Sequence, residues 1–250
     1  DRLIIRVVPS ANVLSGLMNG ELDMIGYGSV LTDDWETAKS QDNLVTESVP
    51  TTSYSTLIFN TQKEYLTQEV RQALNMAINR DVLVNGLLMG EGTPIMTPIA
   101  PVSPYYNDKV QVQYDPEKAK ELLAEAGYPN GEGFPVVEYL YNTSDAHKAV
   151  AEALQNMWEQ ELGVTVTLNN QEWAAFLQTR KNGDYSIARN GWISDYNDPI
   201  SFLDMWMTGG GNNDAQYAND DYDALIKQAK TTTDNAERMD LLHQAEDKLI

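Results

Sequence analysis

The sequence predicts an α/β protein, and three observations support that prediction. Short β-branched runs alternate with helical segments along the second half of the 250-residue chain. Helix stop signals, mostly glycine, separate the helices from the runs that follow them. Hydrophobic residues make up 42% of the chain, which is enough for a buried core and excludes global disorder.

The first fifty residues predict a small βαβ unit. Residues 3–8 are rich in β-branched side chains and indicate a strand, and a short helix is expected to end before Asn19-Gly20. Residues 22–25 indicate a second short strand. A further helix is expected over residues 32–40, because carboxylates occupy its first turn, where the helix dipole favours negative charge.

Two extended runs occupy residues 44–60, and residues 51–60 are the predicted crossing between two domains. The apolar residues from Val70 to Ile78 recur at i, i+3, i+4, i+7 and i+8, which predicts an amphipathic helix. A second helical stretch is expected over residues 82–89. Four prolines between residues 92 and 104 exclude a helix there and predict an extended loop.

The middle of the chain predicts a parallel sheet. Asp115-Pro116 supplies an N-cap and a proline at the first helical position, and that helix should close at Gly127. Strands are then expected over residues 136–141, 164–168 and 185–189, separated by helices over residues 145–162 and 172–181. Because crossover connections are right-handed, these strands should be parallel, with helices on the faces of the sheet.

The charge balance restricts the partners. Lysine and arginine total 17 against 37 aspartate and glutamate residues, so the formal charge is −20, which disfavours nucleic acid and anionic membrane surfaces. The chain has no cysteine and two distant histidines, so no zinc spacing exists. The acidic stretch 212–221 lacks the pattern of a calcium loop and is expected to be solvated. No metal and no cofactor is therefore expected.

The loop after the last predicted strand is the candidate binding site, because ligands of open α/β sheets bind at the carboxyl ends of strands. Residues 189–199 contain one cation, one glycine, one tryptophan, one tyrosine and two carboxylates, which suits a pocket that pairs charges beneath an aromatic lid. The alternative is a surface loop with Trp192 in the core. Arg180 and His147 also have ordinary interpretations, as a complement to a helix dipole and as a surface histidine.

Five segments carry a resemblance to a known family: YNTSDAHK (141–148), NQEW (170–173), RNGWISDYNDPISFL (189–203), VRQALNMAINR (70–80) and NGELDM (19–24). Together they resemble the oligopeptide-binding proteins of bacterial ABC importers, within the extracellular solute-binding family 5 that carries peptides or nickel. The resemblance covers essentially the whole chain.

The resemblance implies a periplasmic-binding-protein-like fold (class II, cluster C) with two lobes that close on a ligand. Members of the family are about twice as long, so the chain is interpreted as a fragment comprising most of one lobe plus part of the other. Residues 1–50 would belong to lobe I, residues 51–60 would form the hinge or crossing strand, and residues 61–250 would form lobe II, incomplete at its C-terminal end. The absence of an initial methionine and an end within a helical pattern favour the same interpretation.

The implied function is a non-catalytic receptor that captures oligopeptides by their charged termini and backbone and delivers them to the permease and ATPase subunits of an ABC importer. It would be an extracytoplasmic monomer, periplasmic or a cell-surface lipoprotein, and would reach the membrane only through an anchor or transporter outside this chain. The alternatives are another cargo on the same fold (a dipeptide, a nickel complex, haem or a peptide pheromone) or a hydrolase that uses Asp195 and Asp198.

The resemblance also assigns roles within the site. Asp195 matches the carboxylate that pairs with the α-ammonium group of the peptide, and Trp192 with Gly191 matches the adjoining wall. The groups that meet the peptide carboxylate at different ligand lengths match Arg180, Arg189 and His147, and Asn142 lies in the same motif. Lys181 and Ile193 depart from the histidine and cysteine of enteric members, so side-chain preferences should differ.

Overall fold

The computed structural model describes residues 2–26, 32–90, 92–110 and 113–250. The helices in these ranges are α1 (Val13–Met18), α2 (Thr32–Lys39), α3 (Gln68–Met76), α4 (Pro116–Glu125), α5 (Asp145–Leu162), α6 (Trp173–Asn182), α7 (Ile200–Leu203), α8 (Asp220–Thr231) and α9 (Asn235–Leu249). None of them is both long enough and apolar enough to cross a lipid bilayer.

The described strands form one mixed sheet. They are β1 (Ser53–Phe59), β2 (Val137–Asn142), β3 (Val166–Gln171) and β4 (Ile187–Ile193), in the spatial order β1-β4-β2-β3. Strand β2 is parallel to β3 and to β4, whereas β1 is antiparallel to β4. The predicted β-α-β-α-β alternation with parallel strands is therefore confirmed.

The last strand is longer than the sequence pattern predicts. The prediction ended it at Arg189, and β4 in fact continues to Ile193. The added residues pair with the first half of β1, from Ser53 opposite Ile193 to Thr56 opposite Asn190. Half of the candidate loop is therefore rigid strand, because a partner strand more than 130 residues away in sequence completes its hydrogen bonds.

Two hydrophobic cores lie on the opposite faces of this sheet. Helices α6 to α9 cover one face, with Phe176, Phe202 and Tyr222 among the buried residues, and helices α3, α4 and α5 cover the other. We call these the α6 face and the α5 face. Side chains alternate along a strand, so Ile187 enters the α5 core and Ala188 the α6 core. The same alternation directs Arg189 to the α5 face and Asn190 to the α6 face.

Local signals place several helix ends where the sequence predicts them. The Asp115 carboxylate accepts a hydrogen bond from the Lys118 N–H at 2.9 Å, and Pro116 is the first helical residue of α4. Helix α5 has the predicted bounds, and Trp158 within it is fully buried. The Trp158 Nε1–H donates to the Leu74 carbonyl at 2.8 Å, which ties α5 to α3.

Two predicted strands are wrong. Residues 3–8 and 22–25 form no β-ladder with any described residue, so the expected βαβ unit is not formed. Leu3, Ile5 and Val7 are more than four-fifths exposed. A strand exists only where a neighbouring strand satisfies its backbone N–H and C=O groups, and no described residue pairs with the backbone of these segments in a β-ladder.

Between α3 and α4, the sequence predicts a helix followed by an extended loop, and the structure agrees with this prediction in part. The expected helix over residues 82–89 is one stretch of π-helix, Val82–Leu87, a geometry that propensity does not predict. The described residues between 92 and 104 contain no helix, as the prolines require. This loop is ordered by burial, since Ile99 and Ala100 are almost inaccessible to solvent.

One carboxyl group lies in the interior of the α6 core. Glu246, on α9, is completely buried, and its carboxyl group lies near the Asn107 side chain without a well-formed hydrogen bond to any described residue. Burial raises the pKa of Glu246 to about 7; the neighbouring Asn107 side chain partly offsets that shift, and Asp247 adds to it. His243, one turn earlier on α9, also has a buried ring nitrogen without a partner.

Replacing Gly163 by alanine should lower the free energy of unfolding by about 2 kcal/mol. Gly163 ends α5 in the left-handed conformation, with φ at 67°, and a Cβ atom there would collide with the Asn130 carbonyl oxygen. Gly133→Ala is the matched control, because Gly133 has a similar φ of 76° with no atom within 4 Å of the added Cβ. We expect the control to lose only about 1 kcal/mol in urea unfolding. Equal losses would show that the Asn130 contact relaxes freely.

Candidate functional site

The candidate residues converge at the carboxyl ends of two parallel strands. Asn142 ends β2 and His147 lies in the first turn of α5, while Arg189, Gly191 and Trp192 belong to the neighbouring strand β4. Strands β2 and β4 pair in parallel, with Leu140 opposite Ala188, so both strands end at the same edge of the sheet. The register therefore brings together side chains that are about 50 positions apart in sequence.

Arg189 is a cation without a carboxylate partner among the described residues. Its side chain is partly buried on the α5 face, and its Nε–H has no hydrogen-bond acceptor. Burial lowers the pKa of Arg189, and the nearby positive charge of Arg180 lowers it further. The guanidinium stays protonated at neutral pH, so it remains a donor for an anion.

His147 lies beside this guanidinium. Its Nδ1 is 3.3 Å from the Asn142 carbonyl oxygen. Burial lowers the pKa of His147, and Arg189 lowers it further by charge repulsion. The imidazole is therefore neutral at neutral pH in this structure, and a bound carboxylate would favour its protonated form.

Buried polar atoms without partners concentrate in the candidate site. In the described ranges six residues carry such atoms, and three of the six are predicted site residues. The three atoms are Asn142 Oδ1, Arg189 Nε and Trp192 Nε1. A buried polar atom without a hydrogen bond is unfavourable by about 1–3 kcal/mol, so a ligand with its own donors and acceptors would be stabilised here.

Gly191 and Trp192 form part of the sheet. A Cβ atom on Gly191 would lie 2.9 Å from the Tyr54 carbonyl oxygen, so the close approach of β1 requires glycine at this position. Trp192 packs partly against the α6 core, which agrees with the core interpretation of this residue. Its Nε1 atom is nevertheless a donor without a partner, so the packing leaves a polar group for a ligand.

Arg180 is held by an ion pair that the sequence did not predict. Its Nε lies 2.8 Å from Asp214 Oδ2, and both side chains are nearly buried. Its Nη1 donates to Asn190 Oδ1 at 3.0 Å, and its guanidinium lies over the Phe176 ring at 5.0 Å. Arg180 is therefore more than a complement to the dipole of α6.

The expectation that residues 212–221 are solvated is wrong for Asp214. Its side chain is only 11% exposed, and Lys181 lies 3.8 Å away on the other carboxyl oxygen. The Tyr185 hydroxyl donates to the Asp214 carbonyl oxygen at 2.5 Å and anchors the turn. Spacing along the chain gave no signal for this pair, because Asp214 and Arg180 are 34 residues apart.

The two carboxylates that follow β4 have different environments. Asp195 is exposed, makes no ion pair with a described residue, and is fixed through its N–H, which donates to the Ser201 hydroxyl at 3.0 Å. Asp198 pairs with Arg238 at 2.6 Å and accepts the Ile200 N–H at 3.0 Å, as a turn residue does. An acid–base pair of these two carboxylates has no support, because the Asp198 carboxylate is already paired with Arg238.

Metal ligation has no structural basis in the part of the chain that the structure describes. No group of three histidine, aspartate or glutamate side chains in those ranges is placed to hold a metal ion.

The carboxyl edge of this mixed α/β sheet presents unpaired donors, an arginine and an exposed carboxylate, and ligands of open α/β sheets bind at that edge. The sequence comparison agrees, since residues 1–214 match the family model for the middle region of bacterial extracellular solute-binding proteins, family 5. The chain belongs to this family.

The chain is also similar in sequence to individual members of the family. The chain is 35% identical over 238 residues to the oligopeptide-binding protein OppA of Bacillus subtilis, covering 91% of this chain and 43% of that protein. It is 33% identical over 254 residues to heme-binding protein A of Haemophilus influenzae, covering 98% of this chain and 46% of that protein. The chain thus spans a little under half the length of these relatives.

Solved structures show the same fold. The periplasmic binding protein DppA of Helicobacter pylori, in complex with the peptide STSA, superposes with a TM-score of 0.87 at 29% identity, covering 98% of this chain and 48% of that chain. The OppA protein of Haemophilus influenzae, in complex with the peptide RPPGFSPFR, superposes with a TM-score of 0.84 at 30% identity, covering 96% of this chain and 48% of that chain. The periplasmic-binding-protein-like α/β fold is therefore confirmed.

Proposed function

We propose that this chain is part of a receptor that captures oligopeptides and delivers them to an ABC importer without chemical change. The observation that carries the proposal is the set of unpaired groups at the carboxyl edge of the sheet, in a family whose members include oligopeptide-binding proteins. A peptide offers a complement to each: an ammonium group for Asp195, a carboxylate for Arg189 and His147, and backbone amides for Asn142 and Trp192.

The physical basis is recognition of the termini and backbone. A zwitterionic peptide enclosed away from water needs a counter-charge at each end, because an unpaired buried charge is unfavourable by several kcal/mol. Side chains of the peptide can be accommodated through water, which makes few demands on sequence. The receptor should therefore bind many sequences of similar backbone length.

The proposal includes the arrangement of the intact molecule. Residues 1–50 belong to lobe I, residues 51–60 cross between the lobes, and residues 61–250 belong to lobe II. Both large cores support the separation of residues 1–50, because all their residues lie between positions 54 and 249, and strand β1 within the crossing segment pairs with β4 in the sheet between them. Val13, Leu14 and Ala38 are buried in the first fifty residues and belong to neither core. The receptor acts as an extracytoplasmic monomer, in the periplasm or as a surface lipoprotein, with a permease and an ATPase as partners.

Haem is the second candidate cargo, because the chain is 33% identical to a heme-binding protein. Titration calorimetry of the intact protein with tetraalanine, dialanine, haem and a nickel salt distinguishes the candidates. We expect tetraalanine to bind and haem and nickel to show no saturable heat. Saturable binding of haem or nickel without any binding of peptides would overturn the proposal. Mass spectrometry of ligand retained during purification provides an independent readout.

A further inference from the structure

The two arginines of the candidate site lie on opposite faces of the sheet. Arg189 follows Ala188 along β4 and points to the α5 face, beside Tyr139 and His147. Arg180 reaches β4 from α6 and bonds to Asn190, whose side chain is on the α6 face. The two guanidinium groups are therefore separate sites for an anion.

The two arginines also differ in how freely their positive charges can pair with an anion. Arg180 already has a carboxylate partner, Asp214, in an ion pair whose side chains are 13% and 11% exposed. Its Nη1 also donates hydrogen bonds to Asn190 Oδ1 and, at 3.4 Å, to the Arg189 carbonyl oxygen. Arg189 has no carboxylate within ion-pair distance among the described residues, and its Nε–H has no acceptor.

Resting on the proposed function, we propose that Asp214 is a specificity-determining residue that withdraws Arg180 from ligand recognition, so that Arg189 and His147 alone receive the ligand carboxylate. Asp214 acts through Arg180 and does not touch the ligand. Lys181, at 3.8 Å from Asp214, is 56% exposed and adds only a screened charge.

The surroundings of the two guanidinium groups differ in net charge. A ligand carboxylate near Arg180 meets an attractive guanidinium and, 2.8 Å behind it, the like charge of Asp214, so the two effects nearly cancel. Near Arg189 the attraction has no such opposition. Removing the charge of Asp214 would leave the Arg180 guanidinium without its ion-pair partner, partly desolvated and able to pair with the ligand. We expect the affinity for a ligand with a carboxylate to rise about tenfold.

The first measurement leaves Asp214 unchanged. Affinities of the intact protein are measured for tetraalanine and for tetraalanine amide, which lacks the carboxylate charge, and their ratio is the carboxylate discrimination. Arg189→Gln should reduce this ratio by about tenfold or more, and Arg180→Gln by less than about threefold. A loss for Arg180→Gln equal to that for Arg189→Gln would overturn the inference, even if Asp214 variants fail to fold.

The second measurement uses Asp214→Asn, which is nearly isosteric. We expect its carboxylate discrimination to rise by about tenfold, and we expect the double variant Asp214→Asn/Arg180→Gln to return to the wild-type value. Asp204→Asn is the control, because Asp204 pairs with Lys230 at 3.2 Å on an exposed surface of the same lobe. A purely structural role of Asp214 would shift the affinities for both probes equally.

The outcomes separate this inference from the proposed function. If wild-type protein binds neither probe, the proposed function fails. If wild-type protein binds tetraalanine and Asp214→Asn leaves the discrimination unchanged or lowers it, the proposed function stands and the role of Asp214 is wrong.

Discussion

Asp195→Asn in the intact protein should weaken binding of peptides with a free amino terminus by about 30-fold to several-thousand-fold. Asp195 is exposed here and pairs with no described cation, so its charge is available for an ammonium group. In the proposed closed receptor that pair is enclosed, and loss of one partner leaves the ammonium buried without a counter-charge. A loss of about 2–5 kcal/mol is typical for such pairs.

The comparison that tests this role uses amino-acetylated peptide of the same sequence. Because acetylation removes the ammonium charge, Asp195→Asn should change its affinity by only a few fold. Asp198→Asn is the matched variant, three positions further along the same loop, with its carboxylate paired to Arg238. Any effect of Asp198→Asn should be the same for both peptides. Equal losses of both peptides with Asp195→Asn would contradict the assignment of the amine.

The stability of the protein should fall as the pH rises from 4.5 to 7, through one buried group. The folded pKa of Glu246, about 7, lies above its ordinary value of 4.5, so the folded state holds a proton that the unfolded chain releases in this window. The stabilising contribution is complete below pH 4.5 and is lost as the pH passes 7. A shift of this size corresponds to about 3 kcal/mol in the free energy of unfolding.

Glu246→Gln removes the titration and isolates this contribution. We expect the difference in unfolding free energy between wild-type protein and Glu246→Gln to change by about 3 kcal/mol between pH 4.5 and pH 8, measured by urea unfolding. Glu237→Gln, at an exposed position in the first turn of the same helix, is the matched control for the loss of one carboxyl group. Parallel stability curves for wild-type protein and Glu246→Gln would show that Glu246 titrates normally in the folded state.

The sequence alone determined the features that depend on neighbouring residues. The bounds of α5 were predicted correctly, because Gly163 supplies the left-handed residue that ends a helix. The cap at Asp115 and the helix around Val70 were also predicted from local signals, an N-cap residue before proline in the first case and the apolar periodicity in the second. The parallel order of β2, β3 and β4 followed from the handedness of crossover connections.

The candidate site was predicted in part. Its position at the carboxyl ends of the strands followed from the α/β alternation, and the family resemblance named Asp195, Arg189 and His147. The roles of these residues remain predictions. The different positions of Arg180 and Arg189 were not predicted, because the face of a side chain depends on where β4 begins and how far it extends.

Tertiary structure decided what depends on residues distant in the chain. Strand β4 extends to Ile193 only because β1 pairs with it, and residues 3–8 form no strand because no described segment pairs with their backbone in a β-ladder. Asp214 is an internal partner of Arg180 although its local sequence is that of a solvated turn. Local sequence determines which backbone conformations are accessible, whereas pairing, burial and charge compensation depend on which distant atoms come within a few ångströms.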